Sequence, residues 1–225
     1  MTSARIAPAT RREMGLVNSA ITGVLGAAAG TGPPNLFTTL ARHRRMFRPW
    51  LRFAATLMPA GVLPRRDTEL VILRVAHLCE CAYEWQHHLR LARAAGFTEA
   101  QLDAVRGSQD NPLWTPRQRL LLEAADELHA TRTCSPATWQ RLRTELGERE
   151  LIELPMLVGH YEMLATTINT LRIQPDAPRR ATGLCRVCPT RDRVVRAKMA
   201  PGGVGRHGLA RGVRAVTARV TGRAA

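Results

Sequence analysis

Residues 69–96 read ELVILRVAHLCECAYEWQHHLRLARAAG, and within them His77, Cys81, Glu84 and His88 are spaced four, three and four residues apart. On one continuous helix this spacing puts two imidazoles, a thiol and a carboxylate on a single stripe. Such a stripe offers a nucleophile with acid and base partners one turn away, an arrangement that lowers a thiol pKa or relays a proton. Leu70, Val71 and Leu73 precede it, so the stripe is expected to emerge from a core, where burial raises a carboxylate's pKa towards neutrality. A blander reading stands beside this one. A cysteine on a helix is most often an inert buried side chain, and Glu84 with His88 makes an ordinary surface pair.

The elements that must carry the stripe are helical. Gly32-Pro33-Pro34 marks a boundary, with Asn35 as a candidate N-cap for the segment from Leu36. Apolar residues continue at helical spacing through Leu57, and Pro59, Gly61 and Pro64 end that unit. Asp67 and Thr68 sit where an N-cap belongs, ahead of one long helix from Glu69 to Ala95 closed by Gly96. Thr98, Thr115-Pro116 and Ser135-Pro136 open three more helices, and a last one runs from Glu148 to Leu171 across Pro155. No Asn-Gly or Asp-Gly hairpin signal occurs. An all-α, compact multi-helix domain of seven or eight helices is expected over residues 35–175, between an N-terminal arm (1–34) and a tail (176–225).

Composition narrows the class. The chain has 225 residues, 45% hydrophobic and 23% charged, enough for a full core and against global disorder. Aromatics at 4% argue against a base-stacking platform for nucleic acid. Five cysteines, an odd number, argue against a secreted disulfide scaffold. No run of about 18 apolar residues suggests a membrane span. Arg11 and Arg12 ahead of residues 15–30 look like an export signal, but Asn18, Ser19 and Thr22 interrupt that run. A cytoplasmic globular protein is the expectation. The net charge of +15 is unevenly placed: residues 179–225 hold twelve basic residues against one acid. That tail is expected to be disordered, with non-specific nucleic-acid binding as its functional alternative.

Glu69, the run Cys81-Ala-Tyr-Glu84-Trp-Gln-His-His88 and the stop at Ala95-Gly96 resemble the carboxymuconolactone decarboxylase family, within the alkylhydroperoxidase D-like superfamily. Ala4-Arg-Ile-Ala-Pro8, Asn35–His43 and Gly159–Leu164 extend the likeness over roughly residues 4–175. The resemblance implies a homo-oligomer, a trimer or hexamer, acting on a small molecule; neither a cofactor nor a metal is expected. Catalytic residues carried over from it are Glu69 as proton relay, Cys81, Glu84 and His88. In the peroxidase branch a second cysteine stands where this chain has Glu84. Cys79 cannot replace it on a regular helix, because two residues turn the helix by about 200°. The resemblance therefore implies acid/base chemistry on a small carboxylated or lactone substrate; Arg74, from its location alone, is a candidate carboxylate holder beside its plainer reading as a surface arginine. The alternatives are one-cysteine peroxide reduction through Cys81, and a non-catalytic helical protein with a basic tail.

Weaker patterns remain. Glu84-x-x-His87 and Asp126-x-x-His129 have the carboxylate–histidine spacing of di-iron bundles, but that site needs two further carboxylates. Cys185-x-x-Cys188 has zinc-ribbon spacing with only His207 nearby. Cys134 has no assigned role.

Overall fold

A computed structural model describes residues 3–176. Ten helices and no strand occur among them: α1 (Arg11–Met14), α2 (Leu16–Ala29), α3 (Asn35–Leu40), α4 (Arg44–Leu57), α5 (Arg65–Leu78), α6 (Ala82–Ala94), α7 (Glu99–Ala104), α8 (Pro116–Thr131), α9 (Pro136–Glu145) and α10 (Glu148–Leu171). The all-α expectation holds. Eight of the helices, α3–α10, lie within residues 35–175, as expected in number, although the long central helix is two; α1 and α2 make the N-terminal arm helical as well. The basic tail from Ala177 on, with Cys185 and Cys188, lies outside the described residues.

Helix α5 organises the rest. Ten consecutive residues, Asp67 to Ala76, are buried, as expected of a helix packed on all sides. It lies against α6, α8 and α10. Val71, Ile72 and Val75 enter one apolar cluster with Phe47, Leu121 and Leu157. Leu70 and Leu73 enter a second, with Phe97, Leu102, Trp114 and Leu122. The helix thus separates two cores. No helix among the described residues is long and apolar enough to cross a membrane.

Several helix starts follow the sequence. Thr98 and Thr115 each close a capping box on the Gln three residues later, and Ser135 caps the amide of Thr138. Two others are corrected. Helix α3 begins at Asn35 itself, whose side chain instead donates to the carbonyls of Gln174 and Pro175. Helix α5 begins at Arg65 after Pro64, and Asp67 lies in its first turn, accepting from Arg117 at 2.7 Å.

The largest correction is at Cys79-Glu80-Cys81. Cys81 N–H donates to the carbonyl of Ala76 at 2.8 Å and Glu80 N–H to that of His77 at 3.0 Å. Glu80 adopts φ 50°, the left-handed conformation that glycine usually takes at this point. This six-to-one closure ends α5, and Cys81 becomes the N-cap position of α6. The predicted continuous stripe does not exist.

The link between α4 and α5 is held from α10. Buried Glu153 accepts from Val62 N–H at 2.6 Å and from Leu63 N–H at 3.0 Å. Gly61 permits this: a Cβ there would stand 2.4 Å from Glu153 Oε1 and from the Leu57 carbonyl oxygen.

Candidate active site

Redirecting the chain at Glu80 sends α6 back across α5, and three side chains meet in the core. Glu69 on α5 and Glu84 and His88 on α6 are 0%, 3% and 2% exposed. His88 Nδ1 lies 2.7 Å from Glu69 Oε2, and His88 Nε2 lies 3.4 Å from Glu84 Oε2. One imidazole therefore bridges two carboxylates. Arg65, one turn before Glu69, ion-pairs with its other oxygen at 2.8 Å. Burial opposes charge on the ring, but hydrogen bonds and charges from Glu69 and Glu84 outweigh it and push the His88 pKa up to about 9. The ring is an imidazolium at neutral pH, and Arg65 and His88 balance the two carboxylates.

This cluster borders a cavity of about 500 Å³. Its walls are mainly apolar, from Leu36 and Phe37 of α3, Trp50, Leu51 and Ala54 of α4, and Leu164 of α10, with Leu25 and Ala28 from the arm. Glu84, His87, His88, His160 and Tyr161 add polar groups, and Arg65 and Arg90 line it as well. Glu84 Oε1 and Trp50 Nε1, both buried, have no hydrogen-bond partner, nor does Nδ1 of His160. Buried polar atoms are normally paired, so three unpaired ones around one apolar cavity make it the candidate ligand site.

The four residues carried over by resemblance part company here. Glu69, Glu84 and His88 come together. Cys81 is buried, does not line the cavity, and belongs to an apolar cluster with Tyr83 and Val75. Burial pushes its thiol up to about 11, although the amides of Glu84 and Tyr83 partly offset this. His77 lies apart at the end of α5, edge-on to Trp85 at 6.4 Å. Arg74, proposed as a carboxylate holder, is committed elsewhere: it holds Asp126 bidentately at 2.6 and 2.7 Å and donates to the carbonyls of Val105 and Gly107. Asp126 is thereby taken out of any di-iron set.

One site residue was not singled out. His160 is 5% exposed, stacks on Trp50 at 6.1 Å, and meets Tyr161, which in turn contacts the His88 ring edge-on at 5.2 Å. Burial holds its pKa below the ordinary value, so it is neutral at pH 7. The available signal was a lone imidazole among the inward apolar positions of the last helix, Leu157, Tyr161 and Leu164.

Residues 44–127, which hold Glu69, Glu84 and His88, match the carboxymuconolactone decarboxylase family. Over this stretch, from α4 into α8, the chain is similar to that family. Solved structures with a similar fold include an uncharacterized peroxidase-related protein with an alkylhydroperoxidase AhpD core from Ralstonia eutropha (TM-score 0.69, 19% identity, 78% of this chain and 93% of that one). Another is an uncharacterized peroxidase-related protein from Silicibacter sp. (0.67, 16%, 79% and 96%). A third is the debrominase Bmp8 in complex with 2,3,4-tribromopyrrole (0.66, 12%, 79% and 94%). At these identities the likeness concerns the fold alone. No curated protein matches the chain.

Proposed function

We propose that the cavity is the active site of a proton-transfer enzyme acting on a small carboxylated or lactone ring. The observation that carries this reading is His88 bridging two buried carboxylates, one of which, Glu84, borders the cavity with an unpaired oxygen. Glu84 Oε1 exchanges a proton with the substrate. His88 supplies and receives the compensating proton on the far side, and Glu69 with Arg65 fixes the ring. Decarboxylation fits the same parts: as the bond to the carboxylate carbon breaks, its electron pair stays on the ring, and the proton from the His88–Glu84 pair ends on carbon. Arg90 is the cation available for an acidic substrate, since it lines the cavity, is exposed, and has no ion-pair partner among the described residues. That a debrominase of this fold holds a halogenated pyrrole is in keeping with a ring-sized ligand.

Thiol redox through Cys81 is the weaker reading. A thiol with a pKa near 11 outside the cavity is neither ionised at neutral pH nor placed to meet a cavity ligand. The test is turnover of a lactone-carboxylate panel in D2O, following deuterium at the product carbon by NMR. Glu84→Gln and His88→Gln should each lower kcat by about 10²–10⁴, whereas Cys81→Ser should retain turnover. Loss of activity in Cys81→Ser with Glu84→Gln unaffected would transfer the chemistry to the thiol.

A further inference from the structure

The break between α5 and α6 has a second product, away from the cavity. Cys79, at the end of α5, is turned towards His129 in the last turn of α8 and Glu162 on α10. Its Sγ lies 3.9 Å from His129 Nδ1, which lies 2.7 Å from Glu162 Oε1. One ligand atom of each, sulfur, nitrogen and oxygen, falls within 4.8 Å of the others. None of the three residues lines the cavity.

We propose that Cys79, His129 and Glu162 form a binding site for a zinc-class divalent cation. Bonds of about 2.3 Å to sulfur and 2.0–2.2 Å to nitrogen and oxygen put tetrahedral ligand atoms roughly 3.3–3.7 Å apart. The distances of 3.9 and 2.7 Å straddle that range, and with all three atoms within 4.8 Å of one another, side-chain adjustments of about 1 Å suffice. A thiolate and a carboxylate neutralise a divalent charge, and a thiolate with an imidazole selects zinc over magnesium or calcium. On binding, the ion takes the place of the proton between His129 Nδ1 and Glu162, the imidazole proton moves to Nε2, and the thiol releases its proton to solvent.

The surroundings already orient the ligands. Arg132 Nη1 holds Glu162 Oε2 at 2.5 Å, leaving Oε1 to face His129. Asn169 Nδ2 donates to the Cys79 carbonyl at 2.9 Å, tying the end of α5 to α10. Outer contacts of this kind support metal ligands in established sites. Three protein ligands leave the fourth position to water, which the half-buried setting admits. An ion here clips the junction of α5 and α6, the two helices that carry the proposed relay, to α8 and α10.

The test uses the full-length protein with Cys185→Ser and Cys188→Ser, which removes the other cysteine pair with metal-ligand spacing. Titration with Co2+ alone should give a thiolate-to-cobalt charge-transfer absorption saturating at one ion per chain, bleached when Zn2+ is added. Cys79→Ser should abolish the band, and His129→Ala or Glu162→Gln should weaken binding more than about 10-fold. Cys81→Ser and Cys134→Ser should leave it intact. Absence of the band, or its persistence in Cys79→Ser, overturns the proposal. Circular dichroism verifies that each variant is folded, and the near-isosteric Cys79→Ser decides the matter if His129→Ala does not fold.

Discussion

Replacing Glu69 by Gln removes one charge and little volume, and it tests what keeps a proton on a buried imidazole. His88 is 2% exposed, so burial alone would drive its pKa below the ordinary 6.5. Glu69 at 2.7 Å is the closer of the two carboxylates that reverse this, the other being Glu84 at 3.4 Å. The rise from 6.5 to about 9 corresponds to about 3 kcal/mol in favour of the charged ring. Because the folded pKa is the higher one, this stabilisation is fully present below pH 6.5 and is lost as the pH climbs to about 9. In Glu69→Gln the amide carries no charge, the longer contact to Glu84 remains alone against desolvation, and the titration should move down towards neutrality. The assay is long-range proton–nitrogen NMR of the His88 ring from pH 5 to 10. The wild-type ring should show imidazolium shifts through pH 7.5 and lose them near pH 9. Urea midpoints over the same range should fall with rising pH in wild type and fall less in the variant. A His88 titration at the same pH in both proteins would refute the argument, because Glu69 would then not be what holds the proton.

Two further outcomes follow from the geometry. Arg74→Leu leaves Asp126 and two carbonyls without their donor; breaking such a buried pair typically costs about 3–5 kcal/mol, reduced here to about 2–4 because the Asp126 side chain is 27% exposed. Urea unfolding should show that loss, and a change under about 0.5 kcal/mol would contradict the cross-link. Native Cys81 should alkylate slowly at pH 7.5, with a rate still rising at pH 10, while a plateau beginning near pH 7 would contradict the raised pKa.

Much of the fold was legible because the signals were local. Thr115-Pro116 and Ser135-Pro136 state their helix starts outright, and Gly96, at φ 86°, ends α6 where the sequence shows a glycine. The turn between α5 and α6 carried no such mark. Its left-handed residue is Glu80, and the following N-cap position is held by Cys81, whose side chain makes no capping hydrogen bond. Helical periodicity continues through both residues, so the pattern showed one helix where tertiary packing makes two. Arg74 was misjudged for a related reason. Its partner Asp126 is 52 residues away, and only the packing of α5 on α8 brings them together.

The grouping survives that misreading because two of its members lie on the far side of the break. Glu84 and His88 are four apart on α6 and remain neighbours wherever the helix begins. Glu69 reaches them across the hairpin, a contact spanning 19 residues that spacing along a single helix does not provide. On an unbroken helix, 19 residues would put Glu69 and His88 about 28 Å apart. The resemblance that grouped Glu69 with His88 was therefore incompatible with the continuous helix read beside it. The turn at Glu80 resolves the conflict in favour of the Glu69–His88 contact, and by moving His77 and Cys81 off the His88 face it separates the thiols from the carboxylate–imidazole cluster. Cys81 enters the core, Cys79 faces His129, and the carboxylate–imidazole–carboxylate arrangement meets the cavity with no thiol beside it.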